Sequence, residues 1–153
     1  MRLLVALVFA FIVGVTTGGY FFSRSLPRSF LAFDTCSANC LTKSELAGLL
    51  VSAGLQRGPR IAAVLEIESD TCVAVKHPKP AAKFHYVLFP KHDVKNIASL
   101  TDDDQHFVMG CFALVRRLVE RDQLKNYYVS TNGPGLQEIA YLHFHLIAKS
   151  ADS

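Results

Sequence analysis

Cysteine, charge and repetition are all scarce in this sequence. Four Cys in 153 residues are too few for a disulfide scaffold. Charged residues make up 19% of the chain and hydrophobic ones 50%, the reverse of the balance that keeps a chain disordered. No internal repeat or low-complexity tract interrupts it. Cations are also missing where nucleic acid would need them. Residues 61–153 hold ten Lys/Arg against eleven acids, so the net charge of +3 comes from residues 1–60, with six Lys/Arg against two acids. A neutral globular part argues against a large phosphate-backbone footprint, and no nucleic-acid partner is expected. The length is that of about one domain, enough to bury a core without metal or disulfides.

Apolar surface is what the chain has in excess at its start. Leu3 to Phe22 is a run of twenty residues without a charge, with Arg2 before it and Arg24 and Arg28 after it. No face of such a helix is polar, so it is no surface helix of a soluble domain. Two readings stand. As a signal anchor the run is long enough for roughly 30 Å of hydrocarbon, with Tyr20, Phe21 and Phe22 as an interfacial belt. As a cleaved signal peptide it offers Thr17 and Gly19 in a small-residue spacing. Either reading sends the chain to a membrane or across it, and the basic flanks on both sides leave orientation open. The expected organisation is a signal anchor or signal peptide over 1–28, a connector with a short helix over 29–60, and a globular domain over 61–153. In the connector, Cys36 and Cys40 suit either a local disulfide or two free thiols. Thr42-Lys43-Ser44-Glu45 is a capping box ahead of Leu46, Leu49, Leu50 and Leu55, which predicts a short amphipathic helix ending at Gly54 or at Gly58-Pro59.

The globular part reads as α+β, with a mostly antiparallel sheet and one long helix. Ala62–Ile67 and Thr71–Val75 form a hairpin about Glu68-Ser69-Asp70. Phe84–Phe89, apolar on both faces and stopped by Pro90, is a central strand. Thr101 caps a helix whose first turn carries Asp102, Asp103 and Asp104, where the dipole favours acids. Phe107, Val108, Cys111, Phe112, Val115, Leu118 and Val119 follow at helical spacing. A strand at Tyr127–Ser130, a loop at Asn132-Gly133-Pro134-Gly135 and a last strand at Ile139–Ala148 complete the order. Cys72 and Cys111 read as buried, inert thiols, and His92 and His106 as surface residues. Strand alternation places Ile139, Tyr141, His143, His145 and Ile147 on one face of the last strand. Two His on one face of so apolar a strand, about 7 Å apart along the chain, point to chemistry rather than packing.

Tyr141-Leu142-His143-Phe144-His145-Leu146-Ile147 resembles the histidine triad motif, with Tyr in the first His place. Gln137 stands four residues ahead of it, and Asn132 and Gly135 match the family's phosphate loop. His85-Tyr86-Val87-Leu88-Phe89-Pro90 is similar to the family's preceding His strand, and Leu100-Thr101-Asp102 to the helix start that follows it. The resemblance is to the histidine triad (HIT) superfamily, on its nucleotide-binding, phosphoramidase-like branch, over Ala62 to Ala148.

The resemblance implies a hydrolase or transferase acting at the α-phosphorus of a nucleoside phosphoramidate, an acyl-nucleotide or a dinucleoside polyphosphate. His143 would be the nucleophile, His145 would donate to the phosphate or the leaving atom, and His85 would support them. Asn132, Gly135 and Gln137 would hold phosphate, His77 would face the ribose, and Tyr141 would orient the site. Neither a metal nor another cofactor is expected. The implied partners are a nucleotide substrate and a second copy, paired through the long helix. Two other readings are a zinc site of His143, His145 and His85, and a non-catalytic nucleotide-binding module.

Overall fold

The computed structural model describes residues 1–28, 30, 41–57 and 65–149. Cys36, Cys40, Gly58-Pro59 and Ala62–Val64 lie outside them. Helix α1 (Arg2–Phe22) has 21 residues, an 18-residue stretch of mean hydropathy 2.1 and no buried residue. At 1.5 Å per residue it is about 31 Å long, one bilayer core. It is long and apolar enough to span a membrane or to be a signal sequence.

Helix α2 (Lys43–Arg57) starts where Thr42 Oγ1 accepts the Glu45 amide, as a capping residue does, and it runs through Gly54 to Arg57. Five strands follow: β1 (Leu65–Glu68), β2 (Cys72–Lys76), β3 (Phe84–Pro90), β4 (Tyr127–Ser130) and β5 (Phe144–Ala148). They form one sheet in the order β1-β2-β3-β5-β4, and every pairing is antiparallel. Between β3 and β4 the chain makes two short 3₁₀ turns and then α3 (Gln105–Arg121). The Thr101 side chain and amide both meet Asp104 Oδ2, which closes the capping box ahead of α3.

Alternation along the strands decides which face is covered. Cys72, Ala74, Tyr86, Leu88, Phe144, Leu146 and Ala148 point to one side and are buried under α3, whose Cys111, Leu114, Val115 and Leu118 meet them. Each fully buried Leu contributes about 1.5–3 kcal/mol relative to exposure. The opposite face is left for the site. Sheet and helix match the α+β expectation.

Three local expectations are corrected. Cys72 and Cys111 are not free thiols: they form a disulfide between β2 and α3, with Cα atoms 5.1 Å apart and a sequence separation of 39. Helical and strand periodicity each marked its own Cys as buried, but neither reports that the two face one another. Gly110 allows this approach, because a Cβ there would overlap Thr71. The last strand is shorter than expected, since Ile139–His143 is not strand. Its backbone bonds elsewhere, with the Ala140 amide on Ser44 O and the Leu142 amide on Val94 O. Arg28, read as a membrane-flanking charge, is 0% exposed. Its guanidinium grips both Asp93 carboxylate oxygens at 2.9 and 2.8 Å, and the Leu26 amide adds a third bond to that carboxylate.

The disulfide closes a long loop and should constrain the unfolded chain. Replacing Cys72 and Cys111 together by Ala is expected to lower unfolding stability by about 2–4 kcal/mol in denaturant titration. An unchanged midpoint, or alkylation of both thiols before reduction, would contradict the bridge.

Candidate active site

Register between β3 and β5 builds the site. Val87 lies opposite His145 and His85 opposite Ile147, so His85 and His145 are diagonal neighbours on the uncovered face. His143 precedes β5 by one residue and continues that face; its ring centroid is 5.0 Å from that of His145. The loop after β2 folds back, and the His77 ring stacks on His85 at 4.1 Å and 6°. A cavity of about 520 Å³ opens here, floored by Val75, Val87 and Phe89 and walled by His77, Asn132, His143 and His145.

Hydrogen-bond partners fix which ring nitrogen carries each proton. The Tyr141 carbonyl lies 2.7 Å from His143 Nδ1 and can only accept, so the neutral ring holds its proton on Nδ1 and a lone pair on Nε2. The Ala81 amide donates to His85 Nδ1 at 3.1 Å, which puts the His85 proton on Nε2. That proton points at His145 Nδ1, 2.9 Å away, so neutral His145 carries its own proton on Nε2. His77 Nδ1 accepts from the Lys79 amide at 3.0 Å and leaves a third Nε2–H. The site therefore holds one free imidazole lone pair, on His143, among N–H donors.

Three of these rings are held neutral. Burial pushes His145 down to about 4, with His143, His85 and His77 adding repulsion. Burial also lowers His143, against the opposing pull of the Tyr141 carbonyl. His85 is lowered by burial and then by His77.

The same polarity bears on metal binding. Ring nitrogens of His77, His85 and His145 lie within 4.8 Å of one another, a spacing a cation could use. A metal-bound imidazole donates its other N–H to an acceptor. Here the second nitrogens of His77 and His85 face backbone donors instead, so the set does not fit a cation.

The structure brings together His77, His85, Asn132, His143 and His145. Gly135 and Gln137 are not in the cavity wall. Gln137 is buried, and its amide nitrogen donates to the Lys95 and Tyr141 carbonyls, so it braces the loop rather than facing the cavity. Tyr141 is 0% exposed, and its hydroxyl donates to the Pro90 and His92 carbonyls, away from the imidazoles. Its backbone carbonyl, not its phenol, orients His143. His92 binds Asp104 and stacks on Phe107, apart from the cavity. Sequence reasoning missed Lys79, Leu136 and Glu138 in the wall. Their signal was slight, because polar and apolar loop residues alternate there without a period.

A helix-backed antiparallel sheet with imidazoles clustered on its open face defines a class of histidine-site domains. Residues 59–152, well over half of the chain, match the HIT domain family model, and the protein belongs to the HIT domain family. A curated mouse (Mus musculus) protein, adenosine 5'-monophosphoramidase HINT3, is 30% identical over 84 residues, 53% of this chain and 51% of that protein. The chain thus spans about half the length of this relative. A HIT family hydrolase from Legionella pneumophila superposes with a TM-score of 0.58 at 22% identity, over 65% of this chain and 90% of that one. Another from Clostridium thermocellum gives 0.58 at 19% identity, over 68% and 92%. These two likenesses are of fold.

Unfolded His titrates near 6.5 and the folded rings of His85, His143 and His145 titrate lower. Below that pH the unfolded chain binds more protons than the fold. Stability is therefore full above about pH 6.5 and is lost as pH falls towards about 4. NMR titration should place the His145 midpoint near 4, and a midpoint at the ordinary value would contradict the buried, proton-poor arrangement.

Proposed function

We propose that this chain is a nucleotide hydrolase or nucleotidyl transferase that acts at the α-phosphorus of a nucleoside phosphoramidate, an acyl-nucleotide or a dinucleoside polyphosphate. The observation that carries this reading is the free Nε2 lone pair of His143, held towards the cavity by the Tyr141 carbonyl. The mouse relative named as an adenosine 5'-monophosphoramidase supports the substrate class.

In the first step the His143 Nε2 lone pair forms an N–P bond while the bond from phosphorus to the leaving nitrogen or oxygen breaks. The anionic phosphoryl group raises the proton affinity of the His85–His145 pair, which takes up one proton from solvent with the substrate. That proton passes from His145 Nε2 to the leaving atom. Water then attacks phosphorus, the N–P bond breaks with its electrons returning to His143, and the proton released by water leaves through the same pair. Asn132, in the cavity wall, holds phosphate oxygens, and the charge it offsets grows in the transition state. His77 offers its Nε2–H to one ribose hydroxyl. No step needs a metal or another cofactor. Tyr141 is compatible with activity, because orientation of His143 runs through its backbone.

His143→Ala should abolish both turnover of an adenosine phosphoramidate and the nucleotidyl adduct seen by mass spectrometry. His145→Ala should keep the adduct but slow its formation, by about 10²–10⁴-fold. Binding without turnover by the wild-type chain would identify a non-catalytic module instead.

We infer that α1 holds the protein at a membrane, and that α3 pairs two copies through its exposed Met109 and Phe112. An interface with two-fold symmetry would cover that surface. The full chain should stay in the membrane fraction after an alkaline wash and should cross-link as a dimer through cysteine placed at Met109. A soluble form beginning near Tyr20 would establish a cleaved signal instead.

A further inference from the structure

The residue before Tyr141 is held from outside the matched family region. The Ala140 carbonyl accepts from Arg28 Nη1 at 2.9 Å, and the Ala140 amide donates to Ser44 O at 3.0 Å. Ser44 Oγ donates to the Gln137 carbonyl at 3.2 Å. Gly48 of α2 lies so close that a Cβ there would overlap the Ala140 backbone carbonyl. Arg28 is itself immobilised by Asp93. Gln56 Nε2 donates to the Arg24 carbonyl, and the Ser25 and Ser52 hydroxyls pair at 2.8 Å, so the short segment after α1 and helix α2 form one body. Arg28, Ser44 and Gly48 all precede residue 59, where the family match starts.

We propose that this segment and α2 are a positioning brace for His143, in which Arg28 and Gly48 fix Ala140 and thereby the Tyr141 carbonyl that selects the His143 tautomer. Among the described residues Ile139–His143 has no strand partner, so individual hydrogen bonds rather than sheet pairing hold it. The Leu142 amide donates to Val94 O, Gln137 Nε2 donates to the Tyr141 carbonyl, and Arg28 and Ser44 hold the Ala140 peptide groups before it. If the Tyr141 carbonyl swings away, the His143 proton is free to move to Nε2 and block the lone pair. A misplacement of about 1 Å at such a site costs as much as 10²-fold in rate. Arg28 and Gly48 touch neither the cavity nor the imidazoles, so they act through Ala140. The rate consequence rests on His143 being the nucleophile; the tautomer consequence does not.

The test uses the full chain in detergent micelles, with ¹⁵N-labelled His. Long-range ¹H–¹⁵N correlation reads which ring nitrogen of His143 carries the proton. Turnover of adenosine phosphoramidate gives kcat and KM separately. Gly48→Ala adds a methyl against Ala140 while favouring the helix. Gly54→Ala favours the same helix, with no atom within 4 Å of its new Cβ, and is the control. Arg28→Lys keeps a charge beside Asp93 but cannot reach the carboxylate and Ala140 together. Gly48→Ala and Arg28→Lys should each shift His143 from the Nδ1–H form towards Nε2–H and lower kcat by about 10–10²-fold with little change in KM. Gly54→Ala should do neither. A His143 tautomer in Gly48→Ala identical to that in Gly54→Ala would overturn the brace. A wild-type chain that turns over no phosphoramidate would sink the proposed function, and the tautomer would still decide the brace.

Discussion

Five backbone pairings between β3 and β5 determine where the clustered imidazoles stand. Because the pairing is antiparallel and opposes Val87 to His145, His85 and His145 meet diagonally on the face that α3 leaves open. A slip of one residue in β5 would turn His145 into the hydrophobic core, bring Leu146 out and part His145 from His85. The core therefore specifies the site. Leu88, Phe144 and Leu146 are buried against Leu114 and Leu118 in the same register that leaves His85 and His145 side by side.

Within that frame, main-chain groups choose the proton positions. One carbonyl, at Tyr141, and two amides, at Ala81 and Lys79, set the polarity of four imidazoles. Burial keeps His85, His143 and His145 neutral, so the arrangement persists across the physiological pH range. Donors and a lone pair fixed in this way are preorganised and need no reorganisation to meet a polar ligand. The same arrangement disfavours a metal, although three ring nitrogens are close enough to bind one. Spacing alone would not separate these two chemistries; hydrogen-bond direction does.

The segments flanking the site are tied to the fold by different means. On the helical side, the Cys72–Cys111 bridge joins β2 to α3. On the cavity side, a buried ion pair and helix α2 hold the irregular approach to β5. A stretch of backbone outside the sheet must find partners for its buried amides and carbonyls. Ala140 finds them in Arg28 and Ser44, residues far away in sequence.

Much was legible in the residues themselves. The uncharged run from Leu3 to Phe22 predicts α1, because length and apolarity are local properties. The capping signals at Thr42 and Thr101 predict where two helices begin, because a cap is made within three or four residues. The period-2 pattern around His85, His143 and His145 marks the face on which the imidazoles gather, and the motif resemblance gives the family. Other features were settled only in three dimensions. The Cys72–Cys111 bridge and the Arg28–Asp93 pair join residues separated by whole elements, and no periodicity encodes such partners. Alternation extended the last strand back to Ile139, whereas tertiary bonds from Ser44 and Val94 take that backbone out of the sheet. Which nitrogen of each imidazole holds its proton depends on which backbone group packs against the ring, and chain folding alone brings those groups together.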